Sequence, residues 1–114
     1  MSGPRAILEM GAGTDLHGGD YTKAAVRAVQ DALQHSSLTF VRVLGLDPAS
    51  LAVDVTIGVA RPDKVDTEAV KRALPVGRVS VRAVTGGLDV PDEDGKDRAV
   101  IASAAIEVRL PAPA

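Results

Sequence analysis

Gly11-Ala12-Gly13-Thr14-Asp15-Leu16-His17-Gly18-Gly19-Asp20 joins a short apolar segment, Ala6 to Met10, to a segment of helical period, Asp20 to Gln34. Ile7 and Leu8 are adjacent and both apolar, as in a strand covered on two faces. Downstream, Tyr21, Ala24, Ala25, Ala28, Val29, Ala32 and Leu33 recur at three- and four-residue spacing, with Lys23, Arg27, Gln30, Asp31 and Gln34 opposite. Asp20 is the expected N-cap, because its carboxylate can accept from the unpaired amides of the first turn. The stretch therefore reads as a β-loop-α unit, with the glycine-rich segment as its loop.

Working outward, His35-Ser36-Ser37 ends the helix and Leu38 to Leu44 reads as a second strand. Gly45-Leu46-Asp47-Pro48 is a turn. Leu51, Val53, Val55, Ile57 and Val59 then alternate with Ala52, Asp54, Thr56 and Gly58, the clearest strand pattern in the chain. Residues 66–74 read as a short helix capped by Asp66, stapled by Val65 on Val70 and closed by Pro75 and Gly77. Val79, Val81 and Ala83 alternate with Arg78, Ser80 and Arg82 in a further strand that runs into Thr85-Gly86-Gly87. The acidic, turn-rich segment Asp89–Arg98 is expected to be a mobile loop. A last strand spans about Ala99 to Leu110, with a frayed tail over 111–114.

The order β-α-β-β-α-β-β predicts an α+β two-layer sandwich over residues 1–114. Its two helices cover one face of a mixed sheet, in a ferredoxin-like or chorismate-mutase-like arrangement. The other face carries Asp54, Thr56, Ser80 and Arg82, and a homo-oligomer is the expectation for it. The 114 residues suffice for one hydrophobic core. Small branched and alanine side chains dominate the apolar 46%, which suits a sheet packed closely on alanine-faced helices. A formal charge of −2 and two aromatic residues, Tyr21 and Phe40, argue against nucleic-acid binding, which calls for a basic face and stacking surfaces. The absence of cysteine excludes disulfides and thiol catalysis. No segment has the layout of a signal peptide or the length of a membrane span, so a cytoplasmic protein without membrane association is expected.

The chemistry-bearing candidates cluster in the glycine-rich stretch, beside a helix N-terminus where free amides and the dipole favour an anion or a polarised carbonyl. Asp15-x-His17 has three readings. As an acid–base pair, His17 moves protons and Asp15 orients it. As metal ligands, the two need a third partner, such as Asp20 or an acid from 89–97. As structure alone, Asp15 bonds loop amides and His17 fills a turn. Lys23, a cation in the first helical turn where the dipole disfavours one, completes the catalytic set as a clamp for an anion or carbonyl. Gly11, Gly13, Gly18, Asp20 and Thr22 are the ligand-binding candidates, with Gly86 and Gly87 as a second wall. The stretch is neither a dinucleotide fingerprint, lacking the third glycine, nor a phosphate-binding P-loop. No sequence feature names a cofactor or a metal.

Other residues carry plainer readings. His35 sits where a helix C-terminus favours a partial cation. Asp92-Glu93-Asp94-Gly95 fails as a calcium loop because Val90 stands where the first carboxylate is required. Ser103 reads as a packed strand serine, and Glu107 with Arg109 as a solvent-facing pair.

The run Gly11-x-Gly13-x-Asp15-x-His17-Gly18, followed by Asp20-x-Thr22-Lys23-Ala24-Ala25, resembles the signature of a small family of conserved hypothetical proteins, the Lin-type family of bacteria and plants. Leu74-Pro75-x-Gly77, Gly86-Gly87-Leu88 and Ile101-Ala102-x-Ala104-Ala105 extend the likeness over nearly the whole chain. The resemblance implies that Gly11, Gly13, Asp15, His17 and Gly18 are signature positions, and it implies no activity. The segment ending Ala104-Ala105-Ile106-Glu107 is similar to part of one unit of the ring-opening amidohydrolases, the cyanuric acid hydrolase and barbiturase group. From the residues, a small-molecule site at the glycine-rich stretch is expected, either catalytic through His17 and Asp15 or a non-catalytic module binding a metabolite or metal.

Overall fold

The computed structural model describes residues 2–34, 45–74 and 77–111. Along them run β1 (Ser2–Asp15), α1 (Tyr21–Gln34), β2 (Ala52–Val59), α2 (Thr67–Lys71), β3 (Arg78–Thr85), β4 (Leu88–Pro91) and β5 (Arg98–Pro111). The strand expected at Leu38–Leu44, the helix stop with His35, and Pro75 lie outside the described residues, as do 112–114 of the tail.

β5 lies between β1 and β2, antiparallel to both, and β2 pairs parallel with β3, giving the order β1-β5-β2-β3. β4 pairs with the start of β5, where β2 has ended. The two helices pack on one face of this mixed sheet, the expected two-layer α+β sandwich. Val53, Val55, Ile57 and Val59 of β2, and Val100, Ala102, Ala104, Ile106 and Val108 of β5, point into one core with Val29 and the alanines of α1. Each buried Val or Ile contributes about 1.5–3 kcal/mol of apolar burial. The sheet therefore supplies most of that stabilisation, and the alanine face of α1 sets how closely the layers approach.

Three differences from the sequence reading have physical causes. β1 does not stop at Met10; it runs on through Gly11, Gly13 and Asp15, paired with Ala104, Ala102 and Val100 of β5. Gly11 and Gly13 face α1 within this strand. A Cβ on Gly11 would lie 2.5 Å from the Ala28 carbonyl oxygen and from the Ala32 amide nitrogen. One on Gly13 would collide with the Ala28 amide and the Ala24 carbonyl. These glycines extend a strand beneath a helix and do not form a loop, because only a residue without a side chain lets the two backbones meet.

The expected mobile loop over Asp89–Arg98 is the second difference. Its first residues belong to β4, in register Leu88 with Ile101 and Pro91 with Arg98. The rest is a closed turn in which the Asp92 amide donates to the Asp97 carbonyl at 2.9 Å. The chain reaches that position by crossing over β2: the Gly86 amide donates to the Val59 carbonyl at 2.8 Å, and Gly87 adopts φ +63°. A Cβ there would strike the Ile101 carbonyl, so Gly86-Gly87 is a crossover that packs backbone on backbone. Third, Pro111, expected in the frayed tail, ends β5 opposite Ser2.

The remaining elements follow the sequence. Asp20 caps α1, accepting from the Lys23 amide at 3.0 Å, and Asp66 caps α2, accepting from Glu68 and Ala69. The helix-free face carries a hydrogen-bonded ladder. In it Ser80 donates to Asp54 at 3.2 Å, Arg82 donates to Thr56 at 3.1 Å, and Arg109 pairs with Asp54 and Glu107.

Candidate functional site

β1, β2 and β3 run in the same direction, so their carboxyl ends lie together with the start of β5. Ligand sites of α/β sheets gather outside such ends, where loops can converge. Here the convergence forms an open concavity of about 390 Å³ lined by Gly18, Gly19, Asp20, Tyr21, Arg61, Lys64, Lys96, Asp97 and Arg98. Three segments form it: the connection after β1, the connection after β2, and the turn before β5.

Each segment is tied to the others. The Gly18 amide donates to Asp97 at 2.8 Å, and Gly18 and Gly19 take φ +96° and +59°, left-handed values that favour glycine. Gly19 lies directly against Arg98: a Cβ there would come within 2.7 Å of the Arg98 Cγ. The Thr22 hydroxyl accepts from the Asp66 amide at 2.9 Å, fastening the start of α2 to α1. The Tyr21 hydroxyl donates to Asp89, and Arg98 donates to that hydroxyl at 3.4 Å and approaches Asp89 at 3.5 Å. The Tyr21 hydroxyl, and after it the Asp89 carboxylate, raise the Arg98 guanidinium pKa above its usual value. Asp97 is held below the ordinary carboxylate range, first by the amide of Gly18, then by that of Arg98, with His17 and Arg98 adding to the effect.

The sequence-predicted site residues separate into two groups. Asp15 is buried, accepts from the Asp20 amide at 2.9 Å, and faces the Arg27 guanidinium at 3.5 Å. Arg27 also donates to the Thr14 carbonyl at 2.7 Å. His17 points outward, with its side chain 90% exposed, and its Nδ1 lies 3.8 Å from Asp97. The carboxylate that faces the imidazole is thus Asp97, while Asp15 is spent on an amide and an arginine. Gly18 and Asp20 stand in the cavity wall with Gly19. Gly11 and Gly13 are under α1, Gly86 and Gly87 are at the crossover, Thr22 joins the two helices, and Lys23 is exposed outside the wall. Among the described residues no group of three His, Asp or Glu side chains could hold a metal ion.

The cations of the wall, Arg61, Lys64, Lys96 and Arg98, were not singled out from the sequence. One signal was available: Arg61 follows directly on the clearest strand, at a carboxyl end where ligands gather. Lys96 and Arg98 were hidden among the acids of 89–97. Four cations stand in the wall against two carboxylates, Asp20 and Asp97, in a chain of net charge −2. Among the described residues the salt bridges that touch the cavity, His17–Asp97 and Arg98–Asp89, use neither Arg61 nor Lys64 nor Lys96. The lining of the concavity therefore holds more cations than carboxylates, on a protein of net negative charge and beside the N-terminus of a 14-residue helix.

Residues 5–108 match the Lin0512 family of conserved hypothetical proteins, and the chain belongs to that family. Its fold is similar to the crystal structure of an FtsZ-like protein of unknown function from Nostoc punctiforme. That protein has 36% sequence identity and a TM-score of 0.87, with 98% of this chain and 99% of that one covered. No curated protein matches. Among the described residues no helix is long and apolar enough to cross a membrane.

Proposed function

We propose that this chain binds a small anionic metabolite in the cavity between the β1–α1 connection, Arg61–Lys64 and Lys96–Arg98. The observation that carries this reading is the surplus of cations in a concavity of metabolite size, about 390 Å³. Electrostatic attraction concentrates an anion there despite the chain's overall negative charge. The N-terminus of α1 adds partial positive charge beside the wall, where Asp15, Asp20 and Asp97 accept from the amides of Asp20, Lys23 and Gly18.

The non-catalytic reading is favoured over proton transfer by the placing of Asp15 and His17. An orienting acid must hold its imidazole in one tautomer by a hydrogen bond. Asp15 instead faces Arg27 and the Asp20 amide, and the His17 ring is almost wholly in solvent. Thermal melts with phosphate, sulfate and citrate against neutral sugars test the proposal. A ligand at a hundred times its Kd stabilises by about 2.7 kcal/mol, a rise of several degrees in Tm for a domain of this size. Stabilisation that is specific to anions and lost in Arg61→Ala/Lys64→Ala supports the site. Equal response of both proteins refutes it.

A further inference from the structure

Building on the anion pocket, we propose that its ligand is gripped through phosphoryl groups, as a phosphate or diphosphate ester on a polar, non-aromatic carrier. Charge is the first argument. The wall holds four cations and two carboxylates, and both acids are engaged: Asp20 caps α1 and Asp97 holds the amides of Gly18 and Arg98. Asp89 offsets Arg98 from outside the wall, which leaves Arg61, Lys64 and Lys96 in no salt bridge among the described residues, enough to meet one phosphoryl group of about −1.5 to −2 at neutral pH. A single carboxylate would leave part of that field uncompensated.

Donor geometry is the second argument. Arg61 and Arg98 bring planar forks to the wall, and Lys64 and Lys96 bring point charges. The donors come from two separate segments, so they approach from different directions. A tetrahedral group with three terminal oxygens can satisfy donors so dispersed, whereas a flat carboxylate fills one fork. Arg98 is held in advance by Tyr21 and Asp89, so it loses little freedom on binding. Arg61, Lys64 and Lys96 are exposed and close on the ligand from outside.

The carrier follows from what the wall lacks. Among the described residues Tyr21 is its only aromatic, and that residue is 6% exposed with its hydroxyl committed to Asp89. Among the described residues no aromatic face in the wall is open to stack on a nucleobase, so recognition falls on the phosphates and on a hydroxylated carrier such as a sugar.

Isothermal titration of the full chain with inorganic phosphate, pyrophosphate, ribose 5-phosphate, ribose, AMP and citrate tests this, with Arg61→Ala/Lys64→Ala as the site variant. Arg5→Ala, at the far end of the sheet, is the control. Pyrophosphate should bind more tightly than phosphate, ribose 5-phosphate should bind, and ribose should not. AMP should match ribose 5-phosphate within roughly threefold, since its base finds no stacking partner. The site variant should weaken every phosphate ligand by roughly tenfold or more at low salt, and the control should not. Binding of citrate without the phosphates overturns the phosphoryl assignment and leaves the anion pocket standing. No binding of any anion overturns both. AMP binding tenfold or more above ribose 5-phosphate overturns the non-aromatic carrier.

Discussion

Within one ten-residue stretch, the two glycine pairs do opposite work. Gly11 and Gly13 lie in β1 and let α1 rest on strand backbone, where a Cβ at either would overlap main-chain atoms of Ala24, Ala28 or Ala32. Gly18 and Gly19 supply left-handed φ values and turn the chain across the cavity. The first pair is needed for its missing volume, the second for its backbone freedom. A substitution in one region should therefore disturb packing and leave the ligand alone. In the other it should disturb the ligand at smaller cost to the fold.

Gly13→Ala gives the largest expected effect. The obstructing atoms are helix backbone, which cannot rotate aside, so α1 must lift from β1 at a cost of about 3 kcal/mol. Chemical denaturation measures this loss, and calorimetry well below Tm should return an unchanged affinity for phosphate. A large loss of affinity with little loss of stability would erase the contrast between the two pairs.

Asp15→Ala should come next, because Asp15 stands where the two regions join. Its carboxylate holds the Asp20 amide from the last position of β1 and lies against Arg27. Losing charged hydrogen bonds of this kind costs about 2 kcal/mol. Asp15→Asn keeps an acceptor and should recover part of the loss. Equal stability in the two variants would show that the Asp20 bond contributes nothing.

Gly19→Ala sharpens the comparison from the other side. The new methyl meets the Arg98 stem at Cγ and displaces it from Tyr21 and Asp89, and the positive φ costs about 1–2 kcal/mol. Moving Arg98 disturbs the cavity, so affinity for phosphate should fall by more than in Gly13→Ala, despite the smaller stability change.

The fold was legible because its signals are local. The alternation of β2 and β5, the three- and four-residue spacing of α1 and the caps at Asp20 and Asp66 read correctly. The glycines of β1 did not, since a strand glycine under a helix and a loop glycine look alike until the partner is known. β4 was obscured because Leu88 and Val90 flank only four strand residues, followed by a run of acids. The position of the candidate site was legible, but its cations were not. Arg61, Lys64, Lys96 and Arg98 come from two segments that only the sheet order brings beside Gly18.

The smallest expected effect is one of pH, and it concerns how the loop region is held closed. Asp97 takes the amides of Gly18 and Arg98, which lowers its pKa in the folded protein below that of the unfolded chain. A depressed carboxylate contributes stability that is complete above its unfolded value, about 3.9, and is lost as pH falls through the lower folded value. The expected window is thus below about pH 4, and from there to neutrality Asp97 adds no pH dependence of its own. Thermal melts of the wild type and of Asp97→Asn should differ by a constant amount at neutral pH, with the gap narrowing under acid as the carboxylate protonates. Gly13→Ala, measured between pH 7 and pH 5, should show a constant offset, because the atoms its methyl meets are helix backbone. If the gap for Asp97→Asn also stays constant down to pH 2.5, the clasp between Gly18 and Asp97 does not depend on charge. The loop region would then be held without help from that charge.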